Sequence, residues 1–544
     1  MRLTRGIQAI SFTAFMLFLW YAAFPLVPSM PVDLFLRMDP LALVLAGTAG
    51  RAFLVKMIPA VLVLILSIFL GRFFCSMVCP LGTSIDVSDR LLRGKDPRRS
   101  PGKSMPREMR LVKYCVLAFM FSGAVFGFSL AAYGSPVAIA TRFYGLLVYP
   151  VVSLAADAGL SVLRPLADRT GFTALAYAHV PPRGFALQWL SLAFMGGIAA
   201  CALLMPRFWC RYLCPAGAMF ALVSSKPFAV RRRVSEQCTS CGLCRKACPM
   251  EAIGEDPHET DFSECIVCMK CSSVCPERAI RFSPGPEAPA TSASVFSGHR
   301  RALILAALAG VGAALTAVTG FSAAGRNGGQ DRAMDPPLIR PPGSLPEHGF
   351  LRTCVGCGEC MKACPTNTLQ PAGLAAGFSA MFSPAMVPRR GPCDTTCNAC
   401  GQVCPTGAIR GLHLDEKRHA KVGTAQVLRH RCIAWESGKA CLVCDEVCPY
   451  GAVILQRVAD VPVAVPVVDE RRCNGCGFCE HYCPVAPGAA IVVDPMDALR
   501  LEEGSYRDRS RELGFTFEQQ GQGDTGGPVA PGIPDRGLPP GFSD

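Results

Sequence analysis

Long apolar runs separated by basic, polar loops dominate the first 210 residues, and the pattern changes after that. Four runs stand out: Ile7–Val27, Phe53–Phe74, Leu111–Tyr133 and Ala186–Met205. Each is close to the ~20 residues that a helix needs to cross a ~30 Å hydrocarbon layer. A fifth run, Ala302–Val318, is shorter and rich in Ala and Gly. Gly145–Leu163 is also apolar but contains Pro150 and Asp157, so an interfacial or re-entrant helix on the outer face is expected there. The pattern predicts an α-helical membrane bundle of four spans, arranged as two hairpins, followed by a fifth span.

Composition agrees with a membrane protein carrying soluble domains: 51% apolar residues, 17% charged and a net charge of +13. Nine Lys or Arg lie between Arg90 and Lys113, and Arg207, Arg211, Lys226 and Arg231–Arg233 follow the fourth run. A basic run is ordinarily a solvated face, but its return after every second span reads as topology. The positive-inside rule then places the N-terminus and both basic loops in the cytoplasm of a bacterial inner membrane. His299-Arg300-Arg301 ahead of the weakly apolar fifth run resembles a twin-arginine export signal; two ordinary positive-inside residues are the plainer alternative. Cleavage at Ser322-Ala323-Ala324 is left open.

Cysteine spacing supplies the chemistry. Of 30 cysteines, 24 form six four-cysteine sets, each ending in Cys-Pro. Four sets have gaps of two, two and three residues, as in bacterial ferredoxins: Cys238, Cys241, Cys244, Cys248; Cys265, Cys268, Cys271, Cys275; Cys354, Cys357, Cys360, Cys364; and Cys473, Cys476, Cys479, Cys483. Two are spaced variants: Cys393, Cys397, Cys400, Cys404 and Cys432, Cys441, Cys444, Cys448. In such a run the first three thiolates hold three irons of one [4Fe–4S] cube and the fourth usually serves the partner cube. Structural zinc takes two separated ligand pairs and gains nothing from the Cys-Pro. A disulfide framework belongs to short secreted chains, not to one of 544 residues. Six cubes are therefore expected, in two α+β ferredoxin-like domains. The divisions are 1–234, helical; 235–286, a cytoplasmic two-cube domain; 287–324, fifth span and leader; 325–344, linker; 345–495, a periplasmic four-cube domain; and 496–544, a largely disordered tail.

The helical part repeats. Arg72-Phe73-Phe74-Cys75-Ser76-Met77-Val78-Cys79-Pro80-Leu81-Gly82 parallels Arg207-Phe208-Trp209-Cys210-Arg211-Tyr212-Leu213-Cys214-Pro215-Ala216-Gly217 at an offset of 135, and Asp39-Pro40 has a looser echo in Ser135-Pro136. Two hairpins of like orientation imply a pseudo-twofold along the membrane normal, bringing Cys75, Cys79, Cys210 and Cys214 together at the inner face. Three uses are open for them: a seventh cube, thiols that cycle through a disulfide, or a place beside a quinone.

With these motifs, residues 1–290 resemble NapH-type membrane quinol dehydrogenase subunits, and residues 295–495 resemble NapG/MauM-type periplasmic ferredoxins. The chain looks like both fused. The resemblance implies anaerobic respiratory electron transport: quinol from the membrane pool is oxidised, and a periplasmic cytochrome c or a terminal reductase such as nitrate reductase accepts the electrons. A cytosolic donor is a further open partner. The pseudo-symmetric two-cube fold implies crossed ligation, Cys238, Cys241, Cys244 with Cys275 and Cys265, Cys268, Cys271 with Cys248. In the four-cube domain neighbouring or nested pairing is open, and similar subunits favour nesting, first set with fourth and second with third. The residues add exclusions: no Cys-x-x-Cys-His for c-type haem, no histidine in an apolar run for a bundle haem, and no dinucleotide fingerprint for flavin or nicotinamide. No nucleic-acid partner is expected. Arg37, Asp39 and Arg142 are candidate quinone residues, because charges at a membrane interface are functional candidates by default; a helix-end or interfacial anchor is the plainer role. Lys56 is expected to snorkel to the interface. The alternative function is an accessory protein supplying electrons for maturing or reactivating a periplasmic metalloenzyme.

Overall fold

The computed structural model describes residues 2–27, 30–93, 106–170, 183–224, 229–284, 300–319 and 338–517, with isolated positions 173, 177, 180 and 227. Most of the expected linker, the Ser322–Ala324 site and residues 518–544 lie outside the described residues.

The first four apolar runs form helices shorter than the runs, whereas the fifth run and Gly145–Leu163 fall within longer ones. These helices are α1 (Arg2–Tyr21), α2 (Pro40–Gly50), α3 (Ile58–Leu70), α4 (Pro80–Arg93), α5 (Leu111–Val125), α6 (Pro136–Phe143), α7 (Tyr149–Thr170), α8 (Gln188–Ala200), α9 (Pro215–Val223) and α10 (Arg300–Thr319). Backbone-breaking residues set the ends: α1 stops before Pro25, and α5 stops at Gly127, whose φ is +84°. At 1.5 Å per residue, α3 and α8 are too short alone for a ~30 Å layer.

The two ferredoxin units sit at opposite ends of this bundle, and four helical segments run between them. At the end of α1 near the first unit, Thr4 Oγ1 donates to Cys268 O (3.5 Å); at the other, Trp20 O and Ala22 O both accept from Lys362 Nζ at 3.1 Å. The segment containing α3 reaches from Lys56, bonded to Cys404 O (3.3 Å), to Phe69 O, which accepts from Ala229 N (2.9 Å). The α5 segment reaches from Arg110, bonded to Glu251 O (3.0 Å), to Gly127 beside Arg352. The α8 segment reaches from Ala186 N, bonded to Gln370 Oε1 (2.9 Å), to Arg211, paired with Glu251.

The stretch expected to be interfacial belongs to a 30-residue helix, Pro136–Pro165, in which α6 and α7 are joined by a π turn at Tyr144–Val148. It is the one helix among the described residues long and apolar enough to cross a membrane. It does not link the two ends, however. The chain entering it (Ala132, against Gly356) and leaving it (Gly184, bonded to Asn367) meets the same four-motif unit.

The internal repeat is visible in the packing. α1 packs on Phe73–Met77 and α4, as α5 packs on Trp209–Leu213 and α9. The interior holds two equivalent helix starts, α2 capped by Asp39 and α6 capped by Ser135. Asp39 serves both: Oδ1 accepts from Leu41 N (3.0 Å) and Ala42 N (3.3 Å), and Oδ2 from Ser135 Oγ (2.5 Å) and Val137 N (3.4 Å). The fully buried Asp39 side chain thus accepts from the first N–H groups of two helices.

The first ferredoxin unit begins earlier than expected. Arg231–Val234 is strand β1, paired antiparallel with β2 (Ile280–Ser283) in the register Arg231↔Ser283, so the basic run closes a domain as well as following a span. Arg232 is buried and donates to Pro257 O, Thr260 Oγ1 and Cys244 Sγ. The four-motif unit is also larger than 345–495. Ile339 bridges to Met386, Arg340 is buried, and Phe517 packs in the core, so part of the expected linker and tail is ordered. Its sheets are all two-stranded: β3 (Leu369–Pro371) with β4 (Pro384–Met386), β5 (Thr424–Val427) with β8 (Ile491–Asp494), and β6 (Val453–Gln456) with β7 (Val465–Val468). The last pairs nest β6–β7 within β5–β8, the pseudo-symmetric form of a two-cube domain.

Candidate iron–sulfur sites

Each Cys-x-x-Cys-x-x-Cys loop turns back on itself so that three thiols face one cavity. The turn needs left-handed backbone: Gly475 and Gly477 have φ of +83° and +82°, and a Cβ on Gly477 would lie 2.5 Å from Pro388 Cβ. The fourth cysteine, fixed by its proline, points into the neighbouring cavity. In the first unit one cavity is lined by Cys238, Cys241, Cys244 and Cys275, and the other by Cys265, Cys268, Cys271 and Cys248. That is the crossed arrangement expected from the sequence.

The four-motif unit departs from the nested expectation. One cavity holds Cys473, Cys476, Cys479 and Cys448, and another Cys432, Cys441, Cys444 and Cys483. Cys354, Cys357 and Cys360 have Cys404 as their electrostatic neighbour, and Cys393, Cys397 and Cys400 have Cys364. Neighbouring sets are thus crossed, because sets close in sequence share one pseudo-symmetric fold. The two pairs meet where Cys393 N donates to Cys476 O (2.7 Å).

The donor chemistry fits iron–sulfur clusters. Backbone N–H groups donate to the sulfurs of Cys248, Cys404, Cys448, Cys473 and Cys483 at 3.3–3.4 Å, which favours thiolate. Among the described residues no group of three His, Cys, Asp or Glu is gathered tightly enough for a single ion. Zinc needs such a group, whereas a cube spreads its thiolates over four irons.

Cys75, Cys79, Cys210 and Cys214 converge as the repeat implied, each an electrostatic neighbour of the others. Cys79 Sγ and Cys214 Sγ accept from Gly82 N (3.4 Å) and Gly217 N (3.3 Å), at the N-termini of α4 and α9. On one side, Cys75 and Cys210 pack against Met250, Ala252 and Ile266 together with Cys248, Cys265 and Cys268. On the other, Cys79 and Cys214 share a core with Val355 and Cys357. Seven four-cysteine groups are therefore present: two in the first unit, one in the bundle packed against that unit, and four in the last unit.

The chain is similar to ferredoxin-type proteins. The methylamine utilization ferredoxin-type protein MauM of Paracoccus denitrificans is 38% identical over 169 residues, 30% of this chain and 74% of that protein. The chain belongs to the MauM/NapG family of ferredoxin-type proteins. Other members agree with the MauM/NapG assignment: MauM of Methylophilus methylotrophus is 33% identical over 39% of this chain and 94% of its own, and the ferredoxin-type protein NapG of Escherichia coli is 35% identical over 31% and 75%. Family models described as 4Fe-4S dicluster domains match residues 231–282 and 353–408, and one described as a 4Fe-4S binding domain matches twice, at 52–99 and 187–235. Those two matches start 135 residues apart, the offset of the repeat. No solved structure matches. This MauM/NapG-type chain is an iron–sulfur electron-transfer protein that binds multiple [4Fe–4S] clusters.

The sequence-based quinone candidates are occupied by structural contacts. Arg37 pairs with Asp33 at 2.7 Å, and Asp39 caps two helices. Arg142 donates to Gly356 O (3.1 Å) and Ala132 O (3.0 Å) and stacks 3.8 Å from the Phe382 ring centroid, bracing the Cys354–Cys357 loop. Lys56 does not snorkel; it bonds the carbonyls of Gly401 and Cys404. Sequence reasoning missed the ionic cluster that seats the first unit. Glu264 is gripped by Lys113 Nζ (2.5 Å) and Arg72 Nη1 (3.0 Å), with Arg110 nearby on Asp261 (3.5 Å). Burial would raise the Glu264 pKa, but Lys113, Arg72 and Arg110 hold it below the usual carboxylate range. The signal available was a basic motif residue facing an acid next to a cluster cysteine.

Proposed function

We propose that this chain lies in the bacterial cytoplasmic membrane and oxidises quinol, passing electrons to a periplasmic acceptor. The observation that carries this reading is the helical bundle running between two ferredoxin units, with Cys75 and Cys210 of its four-cysteine group packed against cluster cysteines of the first unit. Exposed Ile58, Leu62, Ile65 and Phe69 on α3, and Trp189 and Leu192 on α8, suit a lipid-facing surface. In this reading the four bridging segments cross the membrane, with the N-terminus and first unit cytoplasmic and the four-motif unit periplasmic, as in a NapH-type part fused to a NapG/MauM-type part. α10 supplies the fifth span; Gly310 meets Phe119 and Ser122 so closely that a Cβ would lie 2.3 Å from Phe119 O.

The six crossed cysteine sets described above, outside the bundle, would each hold a [4Fe–4S] cluster. Cys75, Cys79, Cys210 and Cys214 would hold a seventh, a reading supported by the family description of both repeat copies. When bound, such clusters take up and release single electrons. The chain's own residues set the spacing: Arg142 braces the first periplasmic loop, and Lys56 and Lys362 clamp that unit to the bundle. A periplasmic cytochrome c or a terminal reductase such as nitrate reductase is the proposed acceptor.

Anaerobic mixing of the purified protein with a menaquinol analogue, followed by electron paramagnetic resonance, tests this. Reduced-cluster signals at catalytic speed are expected. Clusters that dithionite reduces and quinol leaves oxidised would remove quinol as the donor.

A further inference from the structure

Arg72 and Arg207 occupy equivalent positions in the two repeat copies, yet their surroundings differ. Arg207 is saturated: Nε and Nη2 donate to the two oxygens of Asp86 at 2.9 and 2.7 Å, and Nη1 to Cys75 O at 3.1 Å. Asp86 lies on α4 of the first copy, and the repeat offset places Ala221 at the matching position of α9. Arg72 consequently has no carboxylate inside the bundle. Only its Nη1 is engaged, reaching Ser263 O and Glu264 at 3.0 Å.

The remaining donors of Arg72, Nε and Nη2, are buried with no hydrogen-bond partner among the described residues. They face the four-cysteine site. A Cβ on Gly217, the residue whose N–H reaches Cys214 Sγ, would lie 3.0 Å from Arg72 Nη2 and 3.5 Å from Cys214 Cβ. Cys75, Cys210 and Cys214 are electrostatic neighbours of this guanidinium. Two unpaired donors on a buried cation are costly unless an anion meets them. A disulfide is neutral and accepts weakly, whereas four thiolates on a cluster carry net negative charge.

We propose that Arg72 is a positioning residue of the bundle site, its free Nε and Nη2 donors facing an anionic iron–sulfur cluster held by Cys75, Cys79, Cys210 and Cys214. This rests on the seventh-cluster reading above. Net charge and hydrogen bonds at sulfur set a cluster's potential, so the donors favour the reduced, more negative state. The same side chain holds Glu264, so one guanidinium links the bundle site to the seat of the first unit.

The test is a redox titration followed by electron paramagnetic resonance, with iron counted per chain, in the full-length protein. Cys210→Ser first identifies the bundle signal. If that variant loses neither iron nor signal, no cluster is held there and the underlying reading fails. If it loses a signal, Arg72→Gln is expected to weaken the electron affinity of that same signal at least tenfold, which is 59 mV for a one-electron couple. Arg72→Lys, which keeps the charge, is expected to restore most of the shift. Glu264→Gln separates the roles, because it loosens the docking pair and leaves the guanidinium in place. A potential unmoved by Arg72→Gln, or lowered equally by Glu264→Gln, would overturn the role given to Arg72 while leaving the cluster standing.

Discussion

Buried and half-buried arginines in this protein act as braces, within a unit and between the bundle and a unit. Arg340 Nη2 and Arg500 Nη1 hold the carboxylate of Glu347 at 2.6 and 2.8 Å, tying residues beyond the expected domain limits to its core. Burial would raise the Glu347 pKa, but the hydrogen bond and charge of Arg340, with those of Arg500, lower it. A carboxylate whose folded pKa is depressed stabilises the fold fully above its ordinary value near 4.5, and that contribution is lost as pH falls through the depressed value. The four-motif unit is therefore expected to lose stability as pH drops below about 4.5, and Glu347→Gln to flatten that part of the profile. Thermal melts monitored by visible absorbance between pH 3 and 7 would show it; identical profiles for both proteins would refute it. Arg142 belongs to the same class. Arg142→Ala removes two hydrogen bonds and a cation–π contact and is expected to cost about 2–4 kcal/mol. The loss should be visible first as cluster bleaching at the Cys354 set.

Elements carry the symmetry. Asp39 caps α2 and α6 together, so the two repeat copies are joined at a shared pair of helix starts. Asp39→Ala is expected to uncap both and destabilise the bundle by about 2 kcal/mol or more, whereas Asp39→Asn keeps an acceptor and should cost less. Thermal unfolding in detergent, read by circular dichroism, would rank the two; an equal loss would mean that the charge, not the cap, matters. The crossed loops give a sharper element-level test. Cys483 lines the cavity of Cys432, Cys441 and Cys444. Cys483→Ser is thus expected to perturb the same resonance signal as Cys432→Ser and to leave the signal of Cys354→Ser intact. Nested pairing predicts the reverse.

At the scale of the whole molecule, the first unit has a small apolar core and the larger core of the four-motif unit includes many of its cysteines, so the folding of both is coupled to iron. Chelation under reducing conditions is expected to unfold both units while the helical bundle keeps most of its far-ultraviolet signal; joint collapse would mean the bundle depends on them. Much of this was legible in sequence. The cysteine sets, the repeat and the convergence of Cys75, Cys79, Cys210 and Cys214 followed from spacing, because a cube's ligands come from short local loops and a repeat restates itself in letters. The charges were not legible in the same way. Arg37, Asp39 and Arg142 read as ligand candidates until their partners 4 to 214 residues away were placed beside them. The first and third spans were drawn too far because hydropathy continues past Pro25 and Gly127, where the helix does not. Pairing in the four-motif unit depends on how neighbouring sets fold on each other, which spacing left open between neighbouring and nested forms. The sequence alone determined which atoms could bind iron, since that is local chemistry; only the tertiary structure decided which sites are neighbours, since that is set by how separate elements pack.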